Sequence, residues 1–386
     1  SQRRLLDETI PAFALTVPDQ AQALQASAKR ASAALGEFET FLREELLPRS
    51  DGSLAVGREQ YAFYLRELHG LGLTPEQLLD LGRKHYARIE AELAAQATRI
   101  DPDKSWQQIT EDLRANHPAR DDLLGAYCRA IQRSRDHVRA KGLVTVPPGE
   151  EVRCVLSDPS QRAFSPFGVF QQPAPFAAGK IGYLILHPVP EGLGKDKEEA
   201  LLRAHDYTWI DVIAPHEAYP GHHLQALKAQ ENPRPMRQVY STPVFTEGWG
   251  LYTEELMHET GFYADPEATR LTQLRLRLWR AARVLLDAQL HTGEIDYDQA
   301  RAFLVKNIGM EEGATAGEVG IYVSRPSYAI SYVVGYYEIM QLREDYRRAK
   351  GEAYDAREFH DRLLTLGSLP MPQVRRLLGL EAVTGD

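Results

Sequence analysis

Apolar positions recur at helical spacing over most of this chain. Residues 20–47, 75–98 and 121–140 are rich in Ala, Leu, Glu and Lys, with the apolar side chains falling on one face of a helix. Thr74-Pro75-Glu76-Gln77 sets a capping Thr ahead of a Pro at the first helical position, which predicts a helix start. From about 143 to 192 the texture changes to Pro, Gly, Val and Phe. There GKIGYLILHPVP, Gly179 to Pro190, alternates and then runs apolar, as a strand does. Helical patterning resumes near Lys195, and the longest clear helix begins at Pro266 and closes on Gly293. The pattern predicts a mainly α fold: one large helical unit over 1–386 with a small sheet embedded at about 143–192. No repeat or low-complexity linker interrupts it.

Composition narrows the function classes. The 386 residues are 43% hydrophobic and 26% charged, an ordinary globular balance, and the net charge of -9 argues against a nucleic-acid surface. No apolar run approaches the ~18 residues of a membrane span. The N-terminal SQRRLLDE has no apolar signal core and no initiator Met. It slightly favours the cytoplasm and also fits export with a removed leader. Cys128 and Cys154 are too few for a thiolate metal cage and are expected to stay reduced.

Candidate chemistry gathers in HEAYPGHH, 216–223. His-Glu followed closely by His is how many zinc hydrolases place two ligands and a general base on one helix. The usual four-residue spacing is absent, and position 220 is Pro. In an unbroken helix His216 and His222 would point ~240° apart, at 100° per residue, and could not share an ion. A break at Pro220-Gly221 is therefore required for His222 to return towards His216, and His223 is the neighbouring alternative. A further ligand is expected from TEGWGLYTEEL, read as a helix start at Thr246 with Glu247 in its first turn. Glu254, seven residues on, could orient a ligand His through its other ring nitrogen. Arg283, Asp287 and His291, four apart, form a polar stripe on the long helix. The same residues admit plainer readings: a histidine-capped turn, a favourable first-turn charge at Glu247, and i,i+4 ion pairs on a solvated face.

HEAYPGHHLQ, FTEGWGLYTEEL and RAARVLLDAQLH resemble the signature segments of the domain-of-unknown-function 885 family, supported by GREQYAFYLR, LTPEQLLDLGRK and SRPSYAISYVVG. The resemblance covers roughly Gly57 to Leu378. That family is grouped by fold resemblance with gluzincin-type zinc metallopeptidases. The resemblance implies a helical zincin-like unit holding one Zn2+ on His216, His222 and Glu247, with Glu217 as general base. The chain departs from the family's pattern at Pro326-Ser327-Tyr328 and at Val333, where a substrate pocket is expected.

The expected activity is zinc-dependent hydrolysis of amide bonds in short peptides. A zinc amidohydrolase acting on N-acyl amino acids or other small amides is the second reading, and a non-catalytic helical binding protein with a degenerate site the third. Tyr332 and His291 are the candidates for oxyanion stabilisation, with Tyr328, Tyr336 and Tyr337 crowding the same segment. Arg325 or Arg283 is expected to hold a substrate carboxylate, with His223 beside the substrate. The strand around Tyr183 to Leu186 is expected to pair with an extended peptide along a free edge.

Overall fold

The computed structural model describes residues 3, 5–157, 168–177 and 179–380. It is mainly α with one three-stranded sheet, as the pattern predicts. Where the sequence reads as one unit, the chain divides into two compact ones: 1–53 with 155–169 and 185–190, and a larger unit of 54–154, 170–184 and 191–386. The smaller unit contains α1 (Pro18–Thr40), which continues as a wider helical turn through Leu46.

In the larger unit α2 (Pro75–Ile100) starts on the predicted signal. The Thr74 side chain accepts from the Gln77 amide, and the Gln77 side chain reaches back to the Thr74 amide. Helix α3 (Leu123–Lys141) ends on Gly142 in a left-handed conformation. The strands follow: β1 (Glu150–Leu156), β2 (Gly168–Gln171) and β3 (Lys180–Leu186), in the order β1-β3-β2. This corrects one expectation. Strand β3 is central, so Tyr183 to Leu186 already have strand partners on both sides and offer no free edge to a peptide. Cys128 and Cys154 are both free thiols.

The remaining helices are α4 (Tyr207–Glu217), α5 (His222–Gln230), α6 (Pro243–Glu259), α7 (Pro266–Thr292), α8 (Glu312–Ser324), α9 (Ser331–Lys350) and α10 (Ala356–Thr365). None of the described helices is long and apolar enough to cross a membrane. Helix α7 is defined at both ends, with Asp265 accepting from the Ala268 amide and left-handed Gly293 closing it. Its Leu271, Leu278, Ala281 and Leu286 are buried, as are Leu78, Ile89 and Leu93 of α2, against which α7 packs. Each such leucine contributes roughly 1.5–3 kcal/mol by leaving water.

Helices α6 and α9 cross backbone against backbone. A Cβ on Gly335 would lie 1.8 Å from the Val244 carbonyl oxygen, and one on Gly248 2.4 Å from the Gly335 carbonyl carbon. Gly335→Ala should therefore force the helices apart and lower stability by roughly 1–3 kcal/mol, measured by urea denaturation. An unchanged midpoint would contradict so close a crossing.

Candidate metal centre

Asp206 caps α4 by accepting from the Trp209 amide, and the helix delivers His216 and Glu217 at its last two positions. The helix then stops. Residues 218–221 form a separate turn, and α5 begins at His222. Gly221 closes this turn with its amide on the Pro215 carbonyl, 3.0 Å away, and a Cβ there would sit 1.8 Å from the His216 carbonyl oxygen. The indole Nε1–H of Trp249 donates to the Pro220 carbonyl at 2.9 Å, tying the turn to α6. The break is thus complete, and it brings the His216 and His222 rings to a centroid separation of 4.8 Å, nearly perpendicular.

Glu247 comes from α6. That helix starts at Pro243, after Thr242, so Glu247 lies beyond the first turn; the expected start at Thr246 is corrected. Its Oε2 is 3.7 Å from His222 Nε2 and 4.0 Å from His216 Nε2. The ligand-type atoms of His216, His222 and Glu247 all lie within 4.8 Å of one another. The spacing is somewhat wider than the ~3.3 Å edge of a tetrahedron with zinc–nitrogen bonds near 2.05 Å.

Each ring is fixed by its other nitrogen. His216 Nδ1–H donates to Glu254 Oε1 at 2.8 Å, and His222 Nδ1–H donates to Gln225 Oε1 at 3.2 Å. Both Nε2 atoms are therefore turned towards Glu247, the tautomer a metal ligand requires. Tyr328 donates its hydroxyl to Glu247 Oε1 at 2.7 Å, which leaves Oε2 for the centre. Gly250 makes room for the first ring, since a Cβ there would lie 2.4 Å from His216 Cε1.

The electrostatics suit a cation. Burial alone would raise the Glu247 pKa, but contact with His222, the His216 ring and the Tyr328 hydroxyl bring it down to about 2. Burial alone would lower that of His222, yet Glu247, Glu217 and Gln225 lift it to about 9. The cluster holds a carboxylate and favours positive charge between its rings. On donor type, tautomer and charge, these three residues fit a divalent metal ion.

The other predicted site residues are placed as follows. Glu217 is half-buried and acts electrostatically on His222. His223, expected beside the substrate, is turned the other way and fully buried. Its Nε2 meets Glu150 Oε2 at 3.1 Å, and β3 packs so closely over it that a Cβ on Gly182 would lie 2.6 Å from its Nδ1. Glu150 is also held by Arg135, Arg139 and the Tyr219 hydroxyl. Arg283, expected to bind a carboxylate from the substrate, is already paired with one: Nε and Nη2 reach Glu318 at 2.7 and 3.2 Å. Its guanidinium also lies over the Tyr332 ring, 4.7 Å from the centroid. Arg325 is exposed and stacks over Tyr328 at 5.6 Å. The Tyr332 hydroxyl is 3.4 Å from that of Tyr328. Burial, reinforced by the Glu247 charge, pushes the Tyr332 pKa up to about 12, so it remains a neutral donor.

The polar stripe is buried rather than solvated, but it does not open onto the ligands. His291 Nε2–H donates to the Tyr322 carbonyl at 3.0 Å, and its ring stacks on Tyr61. Its expected oxyanion role is corrected, because the donor is already used. Asp287 accepts from the Tyr61 hydroxyl at 2.6 Å and the Ser327 amide at 3.1 Å, while Ser327 Oγ meets His69 Nε2 at 2.9 Å. Ser327 has φ 66°, unusual for a residue other than Gly, and these bonds hold it there. The next residue is Tyr328, so Asp287 holds the loop that carries this tyrosine, while Arg283 and His291 bind α8.

Burial raises the Asp287 pKa from 3.8 to about 7, against its two hydrogen bonds. A raised folded-state pKa means stability fully present below the unfolded value and lost as pH climbs through the folded one. Asp287→Asn cannot titrate, so the fall in stability between about pH 4 and pH 7 should flatten by up to a few kcal/mol. Chemical denaturation across that range checks this. An unchanged profile would mean Asp287 is ionised throughout.

A separate hollow of about 350 Å³, lined by residues including Asn232, Asp361 and Leu378, shares no residue with this centre.

The fold and site together define a mainly α protein with a buried His-His-Glu cluster on three helices. Residues 5–378 match the family described as "Bacterial protein of unknown function (DUF885)", and the chain belongs to that family. No curated protein matches it. Among solved structures it is similar to one described as a putative lipoprotein of unknown function from Shewanella oneidensis, at 24% identity and a TM-score of 0.77, covering 93% of this chain and 67% of that one. It is also similar to one described as the putative lipoprotein from Colwellia psychrerythraea, at 22% identity and a TM-score of 0.81, covering 94% and 63%. This chain therefore spans about two thirds of the length of each, and the likeness extends to the fold.

Proposed function

We propose that this protein is a zinc-dependent hydrolase that cleaves amide bonds in short peptides. The observation that carries the reading is the convergence of His216 Nε2, His222 Nε2 and Glu247 Oε2, with each histidine's Nδ1 already held by another side chain. A bound zinc supplies Lewis acidity, which acidifies water and polarises a carbonyl. Glu217 accepts the proton of the attacking water and returns it to the leaving amine. Tyr332 donates its hydroxyl to the oxyanion as charge develops there. Tyr328 holds Glu247 in position. The donor set and the gluzincin-type resemblance support zinc over other divalent ions.

The same residues would serve an amidohydrolase acting on N-acyl amino acids, so substrate comparison is the test. Zinc-supplemented protein, incubated with a short-peptide library and a panel of N-acyl amino acids, should release amine from peptides, and a chelator should stop it. Release from the N-acyl panel alone favours the second reading. No release from either leaves a helical binding protein.

A further inference from the structure

Arg277, Arg280 and Arg283 are three of the five arginines on α7, and Arg280 differs from the two on either side of it. Arg277 is bound to Glu255, and Arg283 is held by Glu318 through two nitrogens. Arg280 lies between them, only 7% exposed, and forms no ion pair among the described residues. One of its terminal nitrogens donates to the Leu276 carbonyl at 3.2 Å, and its Nε is buried without a partner.

A buried guanidinium ordinarily requires an anion, because desolvating it unpaired costs several kcal/mol. The carboxylates that act on Arg280 are those of Glu254 and Glu318, and neither forms an ion pair with it; Glu318 is engaged elsewhere, while Glu254 keeps Oε2 buried without a hydrogen-bond partner. Glu254 accepts from His216. Glu318 accepts from Arg283, from Trp279 at 3.0 Å and from the Tyr322 hydroxyl at 2.7 Å. Arg280 is therefore left without a hydrogen-bonded counter-anion, although the Glu254 charge lies nearby.

The guanidinium lies over the Trp279 ring, 4.8 Å from its centroid, and near residues that support the centre, since Glu254, which holds His216, acts on it. The Arg280 guanidinium is 6.0 Å from the Tyr332 ring centroid, and the Tyr332 hydroxyl leads through Tyr328 to Glu247. We propose that Arg280 receives a free carboxylate of the substrate, so that this protein acts on acids bearing their carboxylate close to the cleaved amide. Peptides attacked near the C-terminus and N-acyl amino acids share that chemistry. The inference rests on the hydrolase reading for the bond that is cut, but not for the carboxylate that is held. Burial lowers the Arg280 pKa although the Glu254 charge opposes it, while Glu318 keeps that of Arg283 high.

N-acetylglycine and N-acetylglycinamide differ only in the carboxylate and serve as probes. Calorimetric titration of the zinc-supplemented chain carrying Glu217→Gln, which removes turnover, compares them. The acid should bind at least about tenfold more tightly than the amide, as a charge-assisted pair with a buried guanidinium requires. Adding Arg280→Gln should erase the preference, and Arg325→Gln should keep it. Arg280→Lys retains the cation and covers the case in which the glutamine variant does not fold; it should weaken acid binding and leave the amide unchanged. Equal binding of acid and amide, or a preference that survives both Arg280 variants or disappears with Arg325→Gln, overturns the inference. A chain that prefers the acid through Arg280 but releases amine from nothing keeps this inference and refutes the hydrolase reading. A hydrolase indifferent to the carboxylate does the reverse.

Discussion

Glu217→Gln should purify with the zinc content of the wild type and lose hydrolysis by at least ~10²-fold, the usual cost of removing a general base. Three carboxylates surround the histidines, and two are committed. Glu254 accepts from His216, and Glu247 faces both rings while accepting from Tyr328. Glu217 ends α4 directly after His216, acts electrostatically on His222 and has no hydrogen-bond partner among the described residues. It is the carboxylate free to take a proton. Amine release together with elemental zinc analysis on the same preparation checks the claim. Near wild-type turnover would put the base elsewhere, and loss of zinc would make Glu217 a ligand.

Removing the ligands should separate two adjacent histidines. His216→Ala, His222→Ala and Glu247→Ala each delete one of three converging donors. Each should weaken zinc by more than the 10–100-fold typical of losing a supporting partner, the range expected for Glu254→Gln. His223→Ala should retain zinc and instead destabilise the fold by roughly 1–3 kcal/mol, because it leaves buried Glu150 short of a hydrogen bond. Chelator competition and thermal unfolding on the four alanine variants distinguish these outcomes. If His223→Ala lost zinc while His222→Ala kept it, the second ligand would be misassigned.

Much of this was legible because the signals were local. The Thr74 cap, the long α7 closing on Gly293 and the break after Glu217 follow from residues within a few positions of one another. What failed depended on contacts across the chain. Nothing in His222-His223 reveals which ring faces inward; that follows from Glu150, more than 70 residues earlier. Thr246-Glu247 imitates a helix start, although Thr242-Pro243 supplies the actual one. The stripe of Arg283, Asp287 and His291 reads as polar positions on one helix face, and in the fold it is buried without opening onto the ligands. Its partners Glu318, Tyr61, Ser327 and Tyr322 lie on other segments, so spacing alone could not show what each residue binds. Arg280 carries no signal in the sequence, because what marks it is a missing partner.

Anomalous scattering from crystals of zinc-dialysed protein will show whether His216, His222 and Glu247 hold one zinc ion, as proposed. A single strong peak is expected at the zinc edge, about 2.0–2.2 Å from His216 Nε2, His222 Nε2 and a Glu247 carboxylate oxygen. No peak there, or a zinc held by other residues, would contradict it.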